Sequence, residues 1–253
     1  MPAGQHLLVP DGCVDLLWMR RAGGTQRLGA LWVCGPETTA WTFSLPPGSS
    51  AVGVRFRPGM ASAVLDINVS TTTNRRVQLD AFVGVERSAG LAGRVALQNS
   101  VVDRVRVVEA FVSDCVATRS ERADVGNAEQ FVQSVLDHLN APRTTQAALA
   151  DRLQMSTRQL HRRSLHSFGY GIATLVRLLR FQRFLALFDA NPTSSLASLA
   201  TTAGFTDQAH LSRECRAITG MSPTKFFTRW FPTFPDMSDP YKTTAPFAAN
   251  MVA

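Results

Sequence analysis

The sequence lacks the signatures of an enzyme, of an exported protein and of a membrane protein. No apolar run reaches the roughly 18 residues that span a bilayer, and Asp11 and Asp15 interrupt the region where an export signal needs an apolar core. The glycines of GSSAVG at 48–53 are one residue too far apart for a nucleophile elbow. Neither a phosphate-binding loop, a dinucleotide fingerprint nor metal-spaced histidines occur. We therefore expect a cytoplasmic protein with no catalytic residues, no cofactor, no metal and no membrane contact.

The sequence also has few cysteines, and they form no cluster. No two of them have the spacing of a zinc site, and nothing indicates a disulfide scaffold; the four are Cys13, Cys34, Cys115 and Cys215. Each lies in an apolar strand-like run or on an apolar helix face, where cysteine often behaves as a small core residue. A cysteine-based sensor of oxidation or alkylation is the alternative interpretation.

Lysine is scarce although the chain is basic. Of 26 basic residues 24 are arginine, and only Lys225 and Lys242 are lysine. The net charge of +7 is unevenly placed, because residues 128–231 carry +6 and residues 1–127 carry +2. Such a concentration of positive charge is the electrostatic footprint of a nucleic-acid-binding domain. The length of 253 residues favours two domains.

The clearest motif in the basic segment is a helix-turn-helix pattern from residue 195 onward. Ser195 can cap a short helix, and Gly204 can adopt the left-handed conformation that ends it. Thr206 is predicted to cap the second helix, whose apolar side holds Leu211 and Cys215. A helix, a glycine turn and a helix with a polar face are typical of a recognition helix for the major groove. The outward residues of that helix are Asp207, Gln208, His210, Ser212 and Arg213.

A second copy of the pattern lies earlier in the chain. Thr145 can cap its first helix, and Ser156 with Gln159 forms a capping box for the second. Leu160 and Phe168 face inward at helical spacing. The outward residues of the second helix are Arg158, Gln159, His161, Arg162 and Arg163.

The two patterns are joined by a predicted helix that ends before Asn191-Pro192. About 18 residues give a length of roughly 27 Å, against about 34 Å to the next major groove on one face of DNA. Either polar face alone is equally compatible with a solvated surface. Two such faces with a matched spacer and local positive charge favour DNA contact, although Asp207 is expected to cap its helix or orient Arg213 instead.

This segment resembles the DNA-binding domain of the AraC/XylS family of bacterial transcription regulators. The matching residues of the first pattern are Leu149-Ala150, Ser156, Gln159-Leu160 and Gly169. Those of the second are Leu199-Ala200, Ala203-Gly204-Phe205, Asp207-Gln208, His210, Ser212-Arg213 and Gly220-Met221-Ser222-Pro223. Cys215 stands where the family usually has phenylalanine. The resemblance implies double-stranded DNA as a partner and, for an activator, RNA polymerase as another.

Residues 1–80 alternate short apolar runs with Gly- and Pro-rich turns, which predicts several strands in a small barrel or sandwich. The runs are CVDLLWM, ALWVCG, AWTFSL and AVGVRF. This segment resembles the N-terminal part of a subgroup of AraC-type regulators, through PDGCVDLLW, GPETTAW, VGVRFRPGMASAVL and LDAFVG. The resemblance implies a cupin-like barrel that binds an effector or mediates dimerisation. The expected fold class is α+β, with an all-helical C-terminal domain.

Two further N-terminal features each carry two interpretations. Residues 90–118 are predicted to be helical, with apolar residues at 101, 108 and 115 and at 105 and 112. That stripe serves either packing on its own domain or a homodimer seam. A set of large side chains either packs in the core or lines an effector pocket, and its members are Trp18, Trp32, Trp41 and Arg55.

These patterns together predict the organisation of the chain. Residues 1–120 form a regulatory or dimerisation domain, 121–127 a linker and 128–231 the DNA-binding domain, whose first helix Asn127 and Gln130 cap. Residues 232–253 contain four prolines and are expected to be poorly ordered. The predicted function is sequence-specific DNA binding, modulated by a small-molecule effector or by dimerisation. A ligand-free DNA-binding module and the cysteine sensor are the alternatives.

Overall fold

The fold is α+β, as predicted, with its strands in the first third of the chain. The structure is a computed structural model that describes residues 4–23, 28–120, 123–139, 145–192 and 194–230. The strands are β1 (Gly4–Leu8), β2 (Val14–Arg20), β3 (Ala30–Cys34), β4 (Trp41–Leu45), β5 (Ser50–Phe56) and β6 (Arg76–Gln78). The helices are α1 (Met60–Leu65), α2 (Asp80–Val83), α3 (Val85–Ala96), α4 (Val101–Ser120), α5 (Ala123–Leu139), α6 (Gln146–Arg152), α7 (Thr157–Phe168), α8 (Ile172–Ala190), α9 (Leu196–Ala203), α10 (Gln208–Thr219) and α11 (Pro223–Trp230).

The described strands form two separate sheets. One has four strands in the order β5-β2-β3-β6, and the other pairs β1 with β4. The pairs of the larger sheet are antiparallel, with Leu16 opposite Val33 on one side and Val54 on the other. The cupin-like barrel is not confirmed. The four predicted strands are present, whereas β1 and β6 were not predicted.

One face of the four-stranded sheet carries the core of the N-terminal region. Val14, Leu16 and Trp18 alternate with half-buried residues along β2 and are at most 2% exposed, which is the period-two pattern of a strand with one buried face. They belong to one buried cluster with residues of α1, α3 and α4, including Leu91 and Phe111. Each such apolar side chain stabilises the fold by about 1.5–3 kcal/mol relative to its exposure.

The apolar stripe of α4 packs inside this core. Val108 and Cys115 are buried in it, and Val105 and Val112 are packed against it. The stripe that also suited a homodimer seam is therefore used within the chain itself. Only its first member, Val101, is largely exposed, at 57%.

Contacts divide the chain into two compact units. Unit 1 holds the described residues of Met1–Gly4, Gly12–Pro36 and Leu45–Ile172, and unit 2 holds those of Gln5–Asp11, Glu37–Ser44 and Ala173–Ala253. The four-stranded sheet and α1–α7 thus lie in unit 1, while most of β1, β4 and α8, with α9–α11, lies in unit 2. The division into domains at 121–127 stays a prediction.

Within unit 1, α7 packs on α1 and on a short 3-10 helix at Val69–Thr71. The Thr73 hydroxyl donates to the carbonyl oxygen of Gly169 at 2.8 Å. At Gly59 the backbone lies so close to its neighbours that a Cβ atom would come within 2.7 Å of Val132 and 2.8 Å of Phe168. The absence of a side chain at Gly59 therefore allows α1 to contact α5 and α7 directly.

Within unit 2, α8 is the central helix. Phe181, Phe184 and Phe226 are fully buried, and Phe181 meets Phe184 and Phe226 with ring centroids 6.0 and 6.2 Å apart. The buried side chain of Gln182 donates to the carbonyl oxygen of Pro10 at 2.6 Å. The Ala40 amide donates to the Ile218 carbonyl oxygen at 2.7 Å. Segments from the first 44 residues are thus part of this helical unit.

The start of α5 corrects one prediction. The helix begins at Ala123, so Asn127 lies inside it and does not cap it. Residues 123–127 of the predicted linker are therefore helical. Phe131, Val132 and Val135 are buried and stabilise the helix through packing, which outweighs the local capping signal.

Two remaining points concern the ends of the chain and the membrane. The tail at 232–253, expected to be poorly ordered, lies outside the described residues, as do residues 121 and 122. Among the helices that the structure describes, none combines the length and apolar character of a membrane span.

Candidate nucleic-acid interface

The first helix-turn-helix unit consists of α6 and α7. As predicted, the hydroxyl of Thr145 caps α6 by accepting from the Ala148 amide at 3.1 Å. The buried residues Leu149 and Ala150 hold α6 against the rest of the unit. Gln154, with φ of 53°, lies in the turn that leads to α7.

A capping box begins α7, as predicted from Ser156 and Gln159. The Ser156 hydroxyl accepts from the Gln159 amide at 3.2 Å, and the Gln159 side-chain oxygen accepts from the Ser156 amide at 2.8 Å. This arrangement satisfies two amides that the first helical turn would leave unpaired. The side-chain oxygen of Gln159 is consequently engaged at the helix start, although Gln159 is exposed.

The outward face of α7 presents three of the five predicted contact residues freely. Arg158, His161 and Arg162 are exposed. Arg163 is different, because its guanidinium lies 4.7 Å from the centroid of the Phe131 ring and its Nη1 lies 3.9 Å from the Met155 sulfur. These contacts hold Arg163 against α5, so it fixes the position of α7 more than it extends into solvent.

The second helix-turn-helix unit consists of α9 and α10. The Ser195 hydroxyl caps α9 by accepting from the Ser198 amide at 3.2 Å, as predicted. Gly204 ends α9 in the left-handed conformation, with φ of 94°. Such a φ favours glycine, since a side chain there is strained.

Asp207, not Thr206, caps α10. Its carboxylate accepts from the His210 amide at 2.6 Å, which also places a negative charge at the positive end of the helix dipole. The prediction of Thr206 as the cap was wrong, and the Thr206 hydroxyl instead lies 3.3 Å from Nδ1 of His210. The alternative expectation that Asp207 caps its helix is confirmed.

The outward face of α10 is led by Gln208 and Arg213, which are both exposed. His210 and Ser212 are half-buried, and the His210 ring packs edge-on against Phe205 at 5.4 Å. The opposite side of the helix is apolar, with Leu211, Cys215 and Ile218 buried as helical spacing requires.

Two arginines beside this unit are not among the contacts predicted from the sequence. Arg180 and Arg183 of α8 lie close to Gly204, at the turn between α9 and α10. The signal in the sequence is the spacing of three arginines, at 177, 180 and 183.

Cys115 and Cys215 do not have the surroundings of a reactive thiol. Burial raises the pKa of Cys215 to about 11, and burial is also the main cause that raises the pKa of Cys115. Reactive cysteines have a lowered pKa and partial exposure. Cys13 and Cys34 are half-buried. Within the described ranges, no group of His, Cys, Asp or Glu residues has an arrangement that can hold a metal.

The four residues predicted to line an effector pocket have different surroundings. Trp18 is fully buried, and its indole NH donates to the Leu28 carbonyl oxygen at 3.0 Å. Trp32 pairs opposite Leu17 in the sheet, so alternation places it on the other face from Trp18. Arg55 forms an ion pair with Asp15 at 2.7 Å. Trp41 belongs to the other sheet, where its ring lies 5.0 Å from that of Phe43.

Two capped helix-turn-helix units with exposed polar and basic faces are typical of a DNA-binding protein. Residues 149–229 match the family model of a helix-turn-helix domain, and residues 2–78 match a domain of unknown function called DUF6597. This helix-turn-helix domain is of the AraC type, so the predicted resemblance of the segment to an AraC-type DNA-binding domain is confirmed.

Comparison with other proteins gives distant similarity only. No curated protein matches the chain at a significant level. A structure of ToxT from Vibrio cholerae is 12% identical, with a TM-score of 0.42, over 89% of this chain and 97% of that chain. Unsaturated fatty acid bound wild-type ToxT from Vibrio cholerae strain SCE256 is 11% identical, with a TM-score of 0.44, over 93% of this chain and 97% of that chain.

Proposed function

We propose that the protein reads a specific DNA sequence with two recognition helices, α7 and α10, in adjacent major-groove segments. The observation that carries this proposal is the repetition of one arrangement, in which a capped helix presents an exposed arginine while its opposite side is buried. Arg162 does so on α7, and Arg213 on α10. Arginine can form two hydrogen bonds with guanine, which discriminates between bases by ~1–3 kcal/mol.

The proposed roles of the predicted contact residues follow from their surroundings. Arg158, His161, Arg162, Gln208 and Arg213 are the base or phosphate contacts, with Ser212 at the edge of the α10 face. Gln159, Arg163, Asp207 and His210 position the two helices, because each is engaged in a cap or in an aromatic contact. The connecting helix α8 has 19 residues, or roughly 28 Å at ~1.5 Å per residue, which suits a spacer between grooves.

The proposal assigns control to residues 1–120, through a small-molecule effector or through dimerisation. The packing within unit 1 supports this assignment, because α7 contacts α1 and the 3-10 helix of the N-terminal region. A change in that region thereby reaches the first recognition helix directly. RNA polymerase is the further partner that this function requires of an activator.

The experiment is selection of sites from random duplex DNA by the full-length protein, followed by affinity measurements on the selected site. Arg162→Ala/Arg213→Ala is expected to lose specific binding, by roughly 1–3 kcal/mol for each arginine that pairs with a guanine. Arg94→Ala, on the exposed surface of α3, removes one positive charge and is the matched control for each of the single variants Arg162→Ala and Arg213→Ala. If the double variant binds the selected site with the affinity of the wild type, α7 and α10 are not the recognition helices.

A further inference from the structure

The connecting helix α8 carries three arginines with different surroundings. The guanidinium of Arg177 already has two partners within the protein. Its Nε lies 3.3 Å from a carboxylate oxygen of Glu214, and its Nη2 donates to the Thr38 carbonyl oxygen at 3.3 Å. Arg180 and Arg183 have no carboxylate partner among the residues that the structure describes. Both are half-buried, so their charges lie at a defined place on the surface.

Arg180 and Arg183 meet at one point of the second helix-turn-helix unit. A Cβ atom built on Gly204 would lie 3.7 Å from Nε of Arg180 and 3.9 Å from Nη1 of Arg183. Gly204 is itself exposed and forms the turn between α9 and α10. The two guanidinium groups therefore flank a stretch of bare backbone that an incoming group can approach closely.

The turn is fixed before anything binds to it. The guanidinium of Arg180 lies 5.6 Å from the centroid of the Phe205 ring, and Phe205 is buried. The Phe205 amide donates to the Ala200 carbonyl oxygen at 2.9 Å and closes the turn. A guanidinium that is already packed loses less conformational freedom on binding than a free side chain does.

Two neighbouring positive charges without a carboxylate partner repel each other, and an anion between them removes that cost. The planar donors of arginine match the oxygens of a phosphate group. The same turn leads directly into Asp207 and Gln208, at the start of the recognition helix. A group bound at Gly204 is thus adjacent to the end of α10 that enters the groove.

We propose that Arg180 and Arg183 clamp a phosphate of the DNA backbone at the Gly204 turn, beside the groove segment that α10 reads. This inference rests on the proposed function, and it adds a contact from the connecting helix. Phosphate contacts fix the position of a protein on the duplex without reading its sequence. Their loss weakens binding to all sequences alike and lowers the salt dependence of affinity.

The test measures the affinity of the full-length protein for its selected duplex and for a scrambled duplex at several salt concentrations. Arg183→Gln is expected to reduce the slope of log affinity against log salt by about 0.9, the value for one phosphate, and Arg180→Gln/Arg183→Gln by no more than that, because both arginines bind the same phosphate. The ratio of affinities for the two duplexes stays unchanged. Arg183→Lys retains most of the slope because it keeps the charge, and Arg94→Gln on α3 leaves the slope unaltered.

Several results would overturn the inference. An Arg183→Gln protein with the melting temperature and salt slope of the wild type shows that no phosphate is bound there. A changed ratio between the duplexes shows that Arg183 reads a base. Inorganic phosphate could instead stabilise the wild type but not Arg183→Gln, while the salt slope of DNA binding is the same in both proteins. That result indicates a site for a free anion. If the wild type prefers no sequence, the proposed function fails, while the slope on the scrambled duplex still tests the clamp.

Discussion

Asp207 combines two effects at the first turn of α10. Its carboxylate satisfies the His210 amide and adds a negative charge near the positive end of the helix. Asp207→Ala removes both and is expected to lower the free energy of unfolding by about 1 kcal/mol. Asp207→Asn keeps the acceptor and should retain most of that stability. Chemical denaturation of the two variants measures the difference.

Thr206→Ala is the comparison that separates the cap from its neighbour. Thr206 precedes Asp207, and its hydroxyl contacts the His210 ring, not the backbone of the first turn. Its replacement is therefore expected to cost less than that of Asp207. If Thr206→Ala is the more destabilising change, the cap of α10 has been assigned to the wrong residue.

Cys215 is a buried thiol, and its titration links stability to pH. Its pKa is raised from 9.0 to about 11 by burial. Above pH 9 the unfolded chain releases this proton while the native state keeps it, so stability is present below pH 9 and is lost as pH rises through 11. A Cys215→Ala protein should lose less stability between pH 9 and 11. Denaturant midpoints across that range measure the two slopes.

The protonation state of Cys215 also tests the hypothesis that the protein is a cysteine-based sensor. At neutral pH the thiol of Cys215 is protonated and buried, and only the thiolate is a good nucleophile. Alkylation of the native protein at Cys215 is therefore expected to be slower than in denaturant. Rapid native modification at pH 7, accompanied by loss of DNA binding, would restore the sensor hypothesis for this residue.

At the scale of the elements, three helices end on a glycine in the left-handed conformation, but their surroundings differ. The φ angles are 83° at Gly169, 94° at Gly204 and 74° at Gly220. Alanine at any of them costs roughly 1–2 kcal/mol through backbone strain. At Gly169 a Cβ atom would also lie 2.5 Å from the Thr73 hydroxyl and 2.8 Å from Pro36, whereas nothing lies within 4 Å at Gly220.

Gly169→Ala is accordingly expected to be the most destabilising of the three, with a further cost of about 1–3 kcal/mol from overcrowding. Gly220→Ala supplies the strain without the crowding, and Gly204→Ala has only arginine side chains nearby. Thermal unfolding of the three variants ranks them. If the three variants lose the same stability, the contact between the end of α7 and the 3-10 helix accommodates the added methyl group without a loss of free energy.

Local signals predicted the elements of the interface well. The caps at Thr145, Ser156 and Ser195 are confirmed, because each depends on side-chain and amide groups only three residues apart. Burial of Leu160 and Leu211 follows from helical spacing alone. Fold class and both helix-turn-helix units were accessible from the sequence for this reason.

Features set by distant contacts were not accessible. The three-residue strand β6 exists by pairing with β3, and its sequence has no strong strand pattern. Arg163 has the outward position of a DNA contact, yet its guanidinium is held over the ring of Phe131 from another helix. Helical periodicity gives the direction of a side chain, but the neighbour that it meets depends on the tertiary fold.

At the scale of the whole molecule, the boundary of the positively charged segment differs from the boundary between the two compact units. The excess of positive charge lies in residues 128–231, a segment that includes both helix-turn-helix units. The contacts instead combine α8–α11 with residues from Gln5–Asp11 and Glu37–Ser44. A fragment that contains the whole basic segment would lack those residues.

A fragment of residues 128–253 is therefore expected to protect the amides of α8 and α10 from hydrogen exchange less than the full chain does. In the full chain, the buried amide of Gln182 donates to Pro10, and the carbonyl oxygen of Ile218 accepts from Ala40. The fragment has neither partner. Loss of a partner for a buried polar group costs about 1–3 kcal/mol, and part of the apolar surface of unit 2 also becomes exposed.

Gln182→Ala connects the loss of protection to these particular contacts. In the full chain the substitution leaves the Pro10 carbonyl without its donor and should lower the protection of α8. In the fragment it should change little, because Pro10 is already absent, and this non-additivity is the sign of a direct contact. Equal effects in both proteins, with equal protection of α8, would show that residues 128–231 fold independently of the first 44, as the sequence alone predicts.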